Sequence, residues 1–113
     1  MKHMIVINLH EIDFVEQTLT VLAQAMVTDC TVHEVESIPS HHAGETLEPT
    51  VMASIAGLFK QVRNINYLIL AVLDEDKIEM VTEGLKRLYK EDRYASSFWF
   101  IPIHGYFYHK QKS

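Results

Sequence analysis

The chain has 113 residues, 48% hydrophobic and 22% charged, a globular balance that excludes wholesale disorder. Ten Lys and Arg against fifteen Asp and Glu leave a formal charge of −5, which argues against a general phosphate-backbone binder and so against a nucleic-acid partner. Cys30 is the sole cysteine, so no intrachain disulfide is possible and packing must hold the fold.

Met1 to Ile7 lacks the long apolar segment and cleavage site of a secretory signal. No apolar run approaches the roughly 20 residues of a membrane span. These features fit a soluble cytoplasmic protein made of one domain over residues 1–113.

In chain order, Ile5 to Leu9 is apolar and β-branched, as for a central strand covered on both sides. Asp13 with Glu16 offers a capping box. Val15, Leu19, Leu22, Ala23 and Met26 then recur at three and four residues, which predicts a helix over Phe14 to Val27. Cys30 to Val35 reads as a second strand whose imperfect alternation suits a bulge or a partly covered edge. The stretch from Ser40 to Thr46 has loop composition, and Pro49 opens a helical pattern running to Val62.

Tyr67 to Leu73 carries no charge and is the clearest buried strand, extending from Asn66. Asp74, Glu75 and Asp76 follow at the expected start of a helix over Asp76 to Tyr89. Carboxylates there match unsatisfied backbone donors, which explains them without invoking a metal or a general acid. Ser97 to Ile103 is the last main strand, and Pro102 requires either a free edge or the end of pairing. Tyr106 to Tyr108 suits a short extra strand or an arm against a neighbour.

Two βαβ halves joined by a helical excursion give an α+β, ferredoxin-like βαβ-βαβ fold. An additional helix lies between the second and third strands, and the helices cover one face of a mainly antiparallel sheet. A flavodoxin-like parallel sheet is the alternative, though unusually small. Because both sides of the first and third strands are apolar, a homo-oligomer is expected to cover the second sheet face.

The sequence resembles the nitrogen regulatory PII-like superfamily, especially its shorter members. The likeness lies in Ile5-Val6-Ile7 ahead of the helix near Asp13, and in Thr31-Val32-His33-Glu34-Val35-Glu36, similar to the Thr-Val-x-Glu-Val strand of PII proteins. It continues in Leu68 to Val72 before the acidic helix start and in Phe98 to Ile103. It covers most of the chain. The resemblance implies a homotrimer with small effectors in clefts between subunits and a loop available to a regulatory protein partner. It departs from the family in Lys90 to Ser96, which contains no glycine where PII proteins carry a glycine-rich phosphate loop. Close backbone approach to a phosphate is harder there.

By this resemblance, a small anionic effector would sit at a subunit boundary formed by the end of the first strand, the Ser37 to Glu45 loop and the Arg93 to Ser97 segment. Arg93 would contact the anion, Ser96 and Ser97 would donate hydroxyls, and Asn8 and His10 would complete the opposite wall. His10 with Glu11, next to Asp13, reads more simply as a polar loop and helix cap.

A second constellation is His41 and His42 with Glu45 or Glu48, whose imidazole and carboxylate chemistry suits a divalent cation. The trimeric CutA-like cation-tolerance proteins share this topology, but the adjacent histidines lack a ligand-spacing motif such as HExxH, and a solvated loop explains them too. Cys30 has no CxxC partner or adjacent base, so it reads as a packed small side chain. Ser96 and Ser97 have no neighbouring base either. Trp99 with Tyr106 to Tyr108 suits packing better than base stacking in an acidic chain. The expected role is non-catalytic, regulatory and effector-binding, with a cation-binding role as the alternative and a histidine-based enzyme using His10 or His104 a distant third.

Overall fold

The computed structural model describes residues 1–37, 64–91 and 96–107. The expected loop at Ser40 to Thr46 and helix at Pro49 to Val62 lie outside those residues.

Strand β1 spans Lys2–Leu9, helix α1 Asp13–Gln24, strand β2 Cys30–Ser37 and strand β3 Asn64–Asp74. A 3-10 turn over Glu75–Lys77 leads into helix α2, Ile78–Leu88. A second 3-10 turn over Tyr89–Glu91 precedes strand β4, Ser97–Pro102. The strands form one sheet in the order β2-β3-β1-β4, and every neighbouring pair is antiparallel. This is the ferredoxin-like arrangement. Each helical connection passes over one intervening strand, so β1 and β2 run the same way without touching.

The parallel alternative is therefore excluded. A bulge in β2 is also excluded, because its register with β3 runs unbroken from Cys30 opposite Ala71 to Ser37 opposite Asn64. The imperfect alternation of β2 instead reflects its place at the sheet edge. Strand β4 is the other edge, and Pro102 is its last residue, where a missing N–H costs nothing.

The core lies between the sheet and the helices. Ile5, Ile7 and Leu9 of β1, Ile69, Ala71 and Leu73 of β3, Leu22 of α1, and Val81 and Leu85 of α2 are buried in one cluster, with Phe98 and Phe100 of β4 packed against it. Fully burying each large aliphatic side chain stabilises the fold by about 1.5–3 kcal/mol. The two helices cross where Gly84 faces Val21, close enough that a side chain on Gly84 would have no room.

Alternation turns Met4, Val6, Leu68, Leu70, Val72, Trp99 and Ile101 to the opposite face. No described helix lies there. Val6 is still only 6% exposed, because it sits centrally between β3 and β4, whereas Trp99 and Ile101 on the edge strand are 46% and 40% exposed.

Several local expectations need correction. The α1 capping box does not form: the N-cap is Ile12, and Asp13 is already helical and contributes only its charge to the first turn. The helix also stops short of Val27. Met26 adopts a left-handed backbone (φ 64°), with Met26 N–H bonded to Ala23 O at 2.9 Å and Val27 N–H to Leu22 O at 2.8 Å. This Schellman ending, with methionine where glycine is usual, returns Val27 to the core. Asp74 stands at the N-cap of the 3-10 turn, but its side chain makes no capping bond; it accepts a 2.9 Å bond from Lys2 Nζ, and the turn takes the place of the expected first helical turn. Tyr106 and Phe107 form no strand. Tyr106 instead lies beneath the Lys2 ammonium, 5.2 Å from its ring centre.

Candidate functional site

The end of the sheet where β1 finishes and β4 begins brings two of the expected ligand-binding residues together. Asn8 stands directly opposite Ser97 in the antiparallel β1–β4 ladder, a separation of about 5 Å between β-carbons. The cause is traceable to the core. Phe98 points to the helix side, where its ring meets Tyr89 at 6.3 Å and Phe100 at 6.2 Å, and Tyr89 in turn meets Phe14 edge-on at 5.9 Å. With Phe98 held there, the strand period turns Ser97 to the opposite face beside Asn8.

Asn8 is also opposite Leu68 of β3, and the next residue of β3 on the same face is Asn66. Asn66 is one of two buried polar residues in the described part of the chain, the other being Thr18. Ser97, Asn8 and Asn66 thus form a band of neutral hydrogen-bonding groups across the polar end of an apolar face. Sequence reasoning missed Asn66, because it was counted only as the first residue of an apolar strand. Its amide at a position of the burial period was the available signal.

His10 is exposed just beyond β1, and Ser96, next to Ser97, is half-buried. Arg93 lies outside the described residues, as do His41, His42 and Glu45. Among the described residues, no group of three or more His, Cys, Asp or Glu side chains converges as a metal site.

Cys30 is half-buried, and its thiol donates to Val27 O at 3.6 Å. Burial pushes the thiol pKa up, and the neighbouring Asp29 carboxylate adds to the shift, so thiolate is scarce at neutral pH. That is the environment of a packed side chain.

No family model and no curated protein sequence matches the chain. Solved structures do. A DUF3240 family protein from Shewanella baltica superposes with a TM-score of 0.63 at 7% identity, covering 96% of this chain and 97% of its own. The periplasmic divalent cation tolerance protein CutA from Archaeoglobus fulgidus gives 0.63 at 12% identity, covering 95% and 88%. CPII from Thiomonas intermedia, a nitrogen regulatory PII-like protein bound to ADP, AMP and bicarbonate, gives 0.54 at 14% identity, covering 88% and 84%.

The chain has the fold of the PII-like and CutA proteins. At these identities the likeness is one of architecture. That fold accounts for the placement of the described helices on one face of the sheet. Among the described residues, no helix is long and apolar enough to cross a membrane.

Proposed function

We infer that this chain is a non-catalytic regulatory protein of PII-like type, which binds a small anionic effector in clefts between the subunits of a homotrimer and acts through a protein partner. The observation that carries this reading is the apolar sheet face, which no described helix covers, ending in the Asn8–Ser97 pair. A second copy covering Trp99 and Ile101 removes the exposed apolar surface from water and leaves the polar band at the mouth of a subunit boundary. His10 and Ser96 adjoin that mouth, and Arg93 supplies the charge an anion needs. The likeness in fold to a PII-like protein bound to ADP, AMP and bicarbonate supports an anionic effector. The raised thiol of Cys30 supports binding rather than nucleophilic chemistry. The working location is the cytoplasm, in keeping with the single cysteine.

The likeness in fold to the Archaeoglobus CutA favours a second reading, divalent-cation binding through His41, His42 and Glu45.

Sedimentation velocity and calorimetry with ADP, AMP, bicarbonate, Zn2+ and Cu2+ test both readings. The first expects a trimer and saturable binding of an anion. Arg93→Ala should weaken that binding by at least about 1.5 kcal/mol with the trimer intact. A stable monomer at micromolar concentration, or unchanged affinity in Arg93→Ala, rejects it. Stoichiometric Zn2+ or Cu2+ uptake that disappears when His41 and His42 are replaced establishes the second.

A further inference from the structure

Helix α2 carries a charge pattern on its outward side that the fold does not use. Val81 and Leu85 turn into the core, so the helical period leaves Glu79, Met80, Glu83, Lys86 and Arg87 exposed together on the other side, and Lys90 continues the row in the 3-10 turn. The row is divided, acids first and bases afterwards. Glu79, Glu83, Lys86, Arg87 and Lys90 form no ion pair with one another or with any other described residue.

The helix dipole explains only part of this division. It favours an acid in the first turn and bases in the last, which covers Glu79, Lys86 and Arg87, but its influence fades within a turn of each end. Glu83 lies in the middle of the helix, and Met80, 57% exposed, is a large apolar side chain in the acidic half. Lys86 at i+3 and Arg87 at i+4 are the partners that Glu83 has within its own helix. The structure pairs it with neither.

A row that is acidic at one end and basic at the other complements itself when reversed. Two copies related by a two-fold axis set α2 antiparallel to α2, and each contact then occurs twice. Glu83 and Lys86 are about 4.5 Å apart along the helix; with the axis between them, Glu83 of each copy stands opposite Lys86 of the other, and Glu79 opposite Lys90. Met80 then covers the aliphatic stems of Arg87 and Lys90 on the other copy. A parallel pairing would set acid against acid.

We infer that the outward side of α2 is a self-docking surface, joining two copies of this chain through an antiparallel helix pair held by reciprocal Glu–Lys contacts. It lies on the far side of the helices from the sheet face assigned to the homotrimer, so it stands independently of that reading and links one assembly to another. The contact is small and its charges are exposed, so it is weak and salt-sensitive, forming well above the micromolar range in which the trimer is tested.

Small-angle scattering of the full chain against concentration and salt tests this. The wild-type mass should double as concentration rises to about 1 mM in about 20 mM salt, and should not in about 300 mM salt. Glu79→Lys with Glu83→Lys makes the row wholly basic, and Lys86→Glu with Arg87→Glu and Lys90→Glu makes it wholly acidic. Each variant alone should lose the doubling, and an equimolar mixture should regain it. All five positions are exposed, and circular dichroism reports whether the helices persist. Glu79→Gln with Glu83→Gln, which sets no charge against the helix dipole, should weaken the association at least tenfold. Three results overturn the proposal: a wild-type mass that does not change with concentration at low salt, association undiminished in the glutamine variant, or a mixture no more associated than its components.

Discussion

Thr18 and Tyr89, 71 positions apart in the chain, share a 2.6 Å hydrogen bond between their hydroxyls. Thr18 is 0% exposed on α1, and Tyr89 opens the 3-10 turn that leads toward Ser96 and Ser97. The bond ties the first helix to the segment that leads into the candidate site; the Phe14 and Phe98 rings pack against Tyr89, and Phe100 packs against Phe98.

Tyr89→Phe keeps the ring and removes one partner, leaving the Thr18 hydroxyl buried without Tyr89. A loss of about 1–2 kcal/mol in urea unfolding is expected. Hydrogen exchange in residues 96–98 should accelerate more than in β3 if Tyr89 positions that segment. Uniform acceleration would assign it a purely global role.

Gly84 is required by the helix crossing. A β-carbon there would stand 2.7 Å from Val21 Cγ1, and the valine is too stiff to yield. Overpacking costs about 1–3 kcal/mol, set against about 1 kcal/mol of helix propensity gained by alanine. Gly84→Ala should therefore destabilise by about 1 kcal/mol net. In a Val21→Ala background the same change should become neutral or favourable, a coupling that a double-mutant cycle measures directly.

Met26 is 76% exposed and left-handed, so its side chain contributes little burial while its backbone carries strain. Glycine removes a penalty of about 1–2 kcal/mol and adds about 0.5–1 kcal/mol of unfolded-chain entropy. Met26→Gly should raise the melting temperature by about 2–4 °C. A fall would show that the methionine side chain contributes packing that outweighs the backbone strain.

The Lys2–Asp74 pair sets a pH dependence at both extremes. The hydrogen bond from Lys2 holds the Asp74 carboxyl below the usual aspartate range, and the same bond holds Lys2 above the usual lysine range. The Asp74 contribution is present above the pKa of the unfolded carboxyl and is lost as pH falls through the lowered folded value. The Lys2 contribution is present below the unfolded amine's pKa and is lost as pH rises through the raised folded value. Both partners are solvent-accessible, so the effect is small and weakens with salt. Asp74→Asn should flatten the acid limb of stability against pH and leave the neutral plateau nearly unchanged. Thermal melts across pH 2 to 8 at low and high salt check this.

Trp99 and Ile101 provide the sharpest test of assembly. Trp99→Glu or Ile101→Lys puts a charge on the exposed edge of the apolar face, while Met80→Glu puts one on the outer surface of α2. The first two should dissociate the proposed trimer in sedimentation velocity, and the third should leave it intact. A charged side chain buried at an interface without a partner is strongly destabilising.

Much of the architecture was legible from local pattern. The 3- and 4-residue periods of α1 and α2, the uncharged run of β3 and the aromatic run of β4 each report which side of an element avoids water, and that requires no knowledge of neighbours. The apolar second face of β1 and β3 was legible for the same reason. The candidate site was less so. Asn8 and Ser97 were grouped by resemblance, but their direct pairing depends on a register between strands almost ninety positions apart.

Composition and periodicity thus determined that this is an α+β chain with one-sided helices and an unusually apolar sheet. Only the tertiary structure decided the order β2-β3-β1-β4, the edge position that exposes Trp99, the left-handed ending at Met26 and the attachment of Asp74 to Lys2 instead of to a helix end. Burial periodicity is a property of one segment in its own frame. Pairing, capping and charge partnership are settled when distant segments compete for the same donors, acceptors and space.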